Sequence, residues 1–176
     1  GGGCGFISAT LSNLPDVSNV RPSASSQIYD VHGNLITTVH SSENRLPIPL
    51  KDVPKDLQNA FVATEDSRFY THHGIDPIGI LRAIWVNIVH SGVSEGGSTI
   101  TQQLARNAFL SQDRTFKRKI SEALLALKIE QHYTKDEILE MYMNQIYFGQ
   151  GAYGVQSASH VYFGKDASQL TLAQAA

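Results

Sequence analysis

From Pro54 onward the chain alternates apolar and polar positions at helical spacing, interrupted at intervals by capping residues and glycines. After Pro54, which suits a first helical position, Leu57, Phe61, Glu65 and Phe69 follow at four-residue steps. That spacing keeps them on one helix face and sets Glu65 between two aromatic rings. Asp76-Pro77 makes a cap and first turn for a second helix running to about Ser91, where Gly92 ends it. Its residues Ile78, Ile80, Leu81, Ile84, Trp85, Val86, Ile88 and Val89 are apolar nearly all round, which reads as a central core helix. The alternative is a helix that dips into a membrane interface. At roughly fifteen residues it is too short to span a bilayer, which takes about twenty.

Thr99 followed by Gln102 gives a capping box for a helix through Ile100, Leu104 and Ala108. Phe116 to Tyr133 reads as a long amphipathic helix, and Thr134 with Glu137 caps the next. The one convincing strand signal is Ile28-Tyr29 and Leu35 to Val39 flanking His32-Gly33-Asn34, a short hairpin near the N-terminus. The expected fold class is therefore mainly α.

Composition narrows the class without naming a chemistry. At 176 residues, with 41% hydrophobic and 17% charged residues, the chain is long enough for one globular domain with a real core. A net charge of -2 gives no global reason to expect nucleic acid, so any anion site must be local. The single cysteine, Cys4, excludes an internal disulfide, and it lacks the preceding apolar run that lipidation requires. Residues 1–26, glycine-rich and then rich in Ser, Pro and Asn, read as the remnant of an anchor end followed by an irregular linker. Residues 27–176 read as the domain proper. At the far end Thr171 and Gln174 open a helix that stops at Ala176, so the expectation is a C-terminally truncated piece of a longer polypeptide.

Two carboxylates stand out. A buried Glu65 would have its charged form disfavoured and could exchange a proton near neutral pH. A slightly rotated helix would instead leave it at the rim beside Arg68, and spacing weighs the two evenly. Glu122 has Arg118 four residues before it and Lys119 three before it. This reads either as a solvated face of weak ion pairs or as a second active-site carboxylate beside cations that hold an anionic leaving group. Ser98 to Gln103 places hydroxyls and amides at a helix N-terminus, where free N–H groups attract phosphate, with Arg106 one turn on. His72 and His73 lack partners at metal spacing. Gly149 to Gly154 fits a dinucleotide-binding glycine pattern, but it follows a helix and no βαβ unit surrounds it, so turn formation explains it better. Two carboxylates with cations nearby suggest glycosyl transfer as a class.

Read together, four blocks resemble the peptidoglycan glycosyltransferase domain, glycosyltransferase family 51, of class A penicillin-binding proteins and monofunctional transglycosylases. They are Glu65-Asp66 through Phe69, His72 and Gly74; Gly96 through Ser98, Thr99, Gln102, Gln103 and Arg106 to Asn107; Arg118-Lys119 through Glu122 to Glu130; and Ile138 through Tyr142 and Asn144 to Lys165. The resemblance implies a lysozyme-like glycosyltransferase fold with a small membrane-proximal lobe, for which the helix Ile78 to Val89 and the segment Gly92 to Gly97 are candidates. It implies polymerisation of lipid II into β-1,4-linked glycan with inversion and release of undecaprenyl diphosphate, in bacterial cell wall synthesis.

By the same resemblance, Glu65 matches the general base and Glu122 the second essential carboxylate, 57 residues on (122 minus 65). Asp66, Phe69 and His72 fall in the first substrate-site block; Ser98, Thr99, Gln102, Gln103 and Arg106 fall on the donor side, with Arg106 in place of a common lysine. Arg118 and Lys119 match a basic pair that binds phosphate or sugar. The implied setting is the outer face of the cytoplasmic membrane, reached by an N-terminal transmembrane anchor, with lipid II and the growing strand as partners. A C-terminal transpeptidase domain and cell-wall synthesis proteins are further expected partners, and the hairpin resembles the leading segment of bifunctional class A proteins. No cofactor is obligatory; magnesium or manganese could assist, with no residue named as ligand. A lysozyme-like hydrolase and a non-catalytic glycan-binding module are the rival readings, and the basic cluster favours transfer from a diphosphate.

Overall fold

A computed structural model describes residues 14–18, 20, 26–29, 35–39, 44–89, 96–110 and 115–175, with backbone alone for the strand residues at 26–29, 35–39 and 44–45. Strands β1 (Ser26–Tyr29) and β2 (Leu35–Val39) pair antiparallel, Ser26 opposite Val39. The turn predicted at His32-Gly33-Asn34 lies outside the described residues. A pairing that the sequence did not suggest joins β3 (Asn44–Arg45) in parallel to β4 (Ala152–Tyr153). Two-residue strands carry no alternation to read.

Seven α-helices follow among the described residues: α1 (Lys55–Glu65), α2 (Pro77–Val89), α3 (Ile100–Phe109), α4 (Phe116–His132), α5 (Lys135–Gln145), α6 (Val155–Phe163) and the short α7 (Leu172–Ala175). Capping residues set their starts. The boxes at Thr99 with Gln102 and Thr134 with Glu137 form in both directions, and Thr115 accepts from the Arg118 N–H at the head of α4. Pro54 precedes α1 as its N-cap, one position earlier than expected.

The core lies where α3, α4 and α5 pack together. Ile100, Leu104, Leu125, Ile129, Ile138, Leu139 and Met143 are completely buried there. Residues 14–18 and 20 have no regular structure, yet Val17 is fully buried and its carbonyl accepts from the Tyr133 hydroxyl at 2.9 Å. This part of the stretch read as linker is thus fastened onto α4 and the turn after it.

Two glycines permit close approaches. Gly74, at φ +88°, passes so near α4 that a Cβ would lie 2.9 Å from the Ala126 carbonyl. Gly154, at φ +84°, would put a Cβ 2.7 Å from the Asn144 carbonyl oxygen, so the glycines after α5 serve a turn onto α6 and not a phosphate loop.

Helix α2 departs from the core reading. Ile78, Leu81, Ile84, Trp85, Ile88 and Val89 are exposed, and only Ala83 is buried. The helix is held by its N-terminal end and one narrow face. Asp76 caps it through the Ile78 N–H at 3.2 Å and pairs with Arg68 at 3.1 Å, while Gly97 abuts Ile80 and Ala83. Apolar composition therefore marks an outward surface here. Residues 92–95 of the candidate lobe lie outside the described residues.

Candidate active site

The continuous stripe from Leu57 to Phe69 does not form. Helix α1 ends at Glu65 because Asp66 leaves helical geometry, with φ -160° and ψ 74°. Phe69 therefore sits in the following turn, completely buried, and Glu65 is exposed. The rim reading holds, though not beside Arg68, whose guanidinium turns to Asp76. What holds Glu65 is Gln103 on α3: its Nε2 donates to Glu65 Oε2 at 2.9 Å. The Gln103 amide oxygen in turn accepts from the buried Tyr142 hydroxyl on α5 at 3.2 Å. Burial, and after it the negative charge of Glu65, push that hydroxyl well above the usual phenol range, so it stays protonated and donates.

Asp66 and His72 are buried together. The Asp66 oxygens meet His72 Nε2 at 3.0 and 2.8 Å, and one also accepts the Ile100 N–H at 3.0 Å. An acceptor at that position satisfies a free donor of the first turn of α3 and suits its positive end. The pair thereby bolts the end of α1 to the start of α3, the two elements that carry Glu65 and Gln103. Phe69 fills the space beside them, 6.3 Å from the His72 ring and 4.5 Å below the Lys135 ammonium.

Glu122 overturns the solvated-face reading: it is 0% exposed. Arg118 Nη1 donates to one carboxylate oxygen at 2.7 Å and Lys119 Nζ to the other. Lys119 also donates to Ser98 Oγ at 2.7 Å and is the more open of the two cations, its side chain 43% exposed. A fully buried carboxylate with a cation on each oxygen is stable where an unpaired one would be costly. Thr99 and Gln102 are buried and committed to capping, with the Thr99 hydroxyl donating to the Gly74 carbonyl at 2.6 Å.

A cleft of about 630 Å³ opens between α1, α2 and α3. Its walls include Glu65, Ser67, Arg82, Ser98, Gln103 and Arg106. Of the residues predicted from sequence, Glu65, Ser98, Gln103 and Arg106 line this cleft. Lys119 joins it through Ser98, and Asp66, Phe69, His72, Thr99, Gln102 and Glu122 lie buried behind it. Sequence reasoning missed Ser67 and Arg82 on the wall and Tyr142 behind Gln103. Arg82 sits in an apolar run, and its place in that run was the available signal for it. Among the described residues no three His, Cys, Asp or Glu side chains converge as a metal site. Chemically, the cleft offers one open carboxylate to accept a proton and guanidinium groups to meet an anion.

The chain matches the family described as Transglycosylase over residues 32–176. It is similar to penicillin-binding protein 1A of Escherichia coli K12, 52% identical over 95% of this chain and 20% of that protein. It is similar also to penicillin-binding protein 1F of Bacillus subtilis 168, 50% identical over 87% of this chain and 21% of that one. Penicillin-binding protein 1A of Aquifex aeolicus VF5 is 48% identical over 97% of this chain and 24% of its own length. The chain thus spans between a fifth and a quarter of the length of these relatives. With this match over most of its length and its mainly helical fold, the chain belongs to the transglycosylase family.

Proposed function

We propose that the cleft polymerises lipid II into β-1,4-linked peptidoglycan strands. The observation that carries this reading is an exposed Glu65, held by Gln103, on the rim of a polar cleft that also holds Arg82 and Arg106. In the proposed step Glu65 takes the proton of the acceptor's 4-hydroxyl as its oxygen bonds to the donor's anomeric carbon. The bond from that carbon to the diphosphate breaks, the electron pair leaves with undecaprenyl diphosphate, and attack opposite the leaving group inverts the centre. Arg106 and Lys119 meet the diphosphate charge as it develops. Glu122, being fully buried, acts by holding Arg118 and Lys119 in place. Asp66, His72 and Phe69 keep Glu65 and Gln103 in register.

The exposed apolar face of α2 suits the outer leaflet of the cytoplasmic membrane, where a lipid-linked substrate resides. No helix among the described residues is long and apolar enough to cross a membrane. We place the domain on the extracytoplasmic face, anchored through chain preceding it, with a transpeptidase domain and cell-wall synthesis proteins as partners of the whole protein. Magnesium or manganese would assist only in company with the diphosphate, and no side chain here is assigned to it.

Labelled lipid II incubated with the full-length protein tests the reading. Long glycan polymer is the expected product. Degradation of preformed glycan with no polymer from lipid II would sink it in favour of a hydrolase, and polymerisation unchanged in Glu65→Gln would remove Glu65 as the base.

A further inference from the structure

We infer that Tyr142 is a positioning residue for the transfer reaction, acting through Gln103 to hold the Glu65 carboxylate in its working orientation; this rests on the reading of Glu65 as base. The inference follows from donor and acceptor chemistry along one chain of contacts. Glu65 Oε2 lies 2.9 Å from Gln103 Nε2, and the amide's other end, Oε1, lies 3.2 Å from the Tyr142 hydroxyl. An ionised carboxylate only accepts, so the amide must present its N–H₂ to Glu65 and its oxygen to Tyr142. The hydroxyl completes this by donating to that oxygen. An amide rotated by half a turn would set its oxygen against the carboxylate, and the Tyr142 proton would then face an N–H₂ group.

Tyr142 is itself immobile. It is 1% exposed, and Phe61 meets its ring edge-on at 6.2 Å. Glu65, by contrast, is exposed at the last position of α1, and its carboxylate is held from α3 by the Gln103 amide. A fixed core group therefore sets the geometry of an open one across three elements, α5, α3 and α1. The charged groups around Glu65 are the neighbouring Asp66, held by His72, Arg106 on α3 and Arg82 on α2.

The test uses the full-length protein polymerising labelled lipid II, with Tyr142→Phe, Gln103→Leu, their double variant and Glu65→Gln. Tyr142→Phe keeps the ring and its packing, so its thermal midpoint should stay within about 4 °C of the parent. We expect its kcat to fall about tenfold with KM within about twofold, the signature of lost positioning at a reacting group. The double variant should be no slower than Gln103→Leu, since the hydroxyl acts only through the amide. Unaltered kcat in Tyr142→Phe beside an inactive Glu65→Gln would overturn the relay alone. Multiplying losses in the double variant would overturn it too, including where Tyr142→Phe proves unstable. A Glu65→Gln protein that still polymerises would overturn the base assignment itself.

Discussion

Helix α2 turns Leu81, Trp85 and Ile88 outward, Trp85 being 69% exposed, whereas α4 draws Glu122 to complete burial between Arg118 and Lys119. One helix is apolar and outside; the other is charged and inside. The difference lies in what each residue finds as a partner. Glu122 meets a cation on each carboxylate oxygen, which offsets the cost of burying its charge. The exposed α2 side chains find no opposing surface among the described residues, while the helix is held through Asp76, Arg68 and the close face at Gly97. Contiguous exposed apolar surface of this kind marks an interaction site. The contrast divides the molecule into a buried charged wall behind the cleft and an exposed apolar face, the one proposed to meet lipid.

Changing the inside of the wall should have the largest effect. Glu122→Gln leaves Arg118 and Lys119 without their carboxylate. Lipid II polymerisation by the full-length variant should fall about 10²- to 10³-fold, the scale for losing a group that organises transition-state charge. Activity within a few-fold of the parent would show that its burial is structural only. Leu125→Ala, on the same helix and fully buried, should cost about 3 kcal/mol in denaturant unfolding with little change in kcat of the folded fraction. The corresponding change outside, Trp85→Ser with Ile88→Ser, should leave unfolding within about 1 kcal/mol, since exposed positions contribute little. It should weaken binding to vesicles of anionic bacterial lipid about tenfold. Equal binding by the double serine variant would separate α2 from the membrane.

The smallest effect concerns the tether. Burial pushes the Asp76 carboxyl up, but the Gly79 N–H and the Arg68 guanidinium outweigh it and hold it below the usual carboxylate value. A lowered folded value means that this contribution is fully present above the unfolded value of about 3.9 and is lost as pH falls through the folded one. Asp76→Ala should therefore cost about 1 kcal/mol at pH 7, with the difference from the parent shrinking below about pH 4. A difference constant down to pH 3 would mean that the charge of Asp76 plays no part.

Much of the scaffold was legible because its signals are local. The capping boxes at Thr99 and Thr134 and the glycines after α5 act within a few residues and were read with their helices. Glu65 and Phe69 were assigned to one face because four-residue spacing continues through them. It could not show that Asp66 would leave the helix to bridge His72 and the start of α3. The placement of α2 was illegible for a different reason: an all-round apolar pattern looks the same whether it is covered by protein or by lipid. Glu122 needed two cations whose spacing was visible but whose burial depends on α3 packing over them. Tyr142 sits in a core pattern, and only the contact with Gln103 sets it apart.

In the proposed reaction Glu65, open at the rim and aligned by Gln103, is the base that activates the acceptor. Single-turnover polymerisation of labelled lipid II by full-length Glu65→Gln, with lipid II binding measured on the same preparation, tests it most directly. If Glu65 is the base, binding stays within about threefold of the parent and the polymerisation rate falls by at least about 10³-fold. Retained binding together with polymerisation at the parent rate would contradict it.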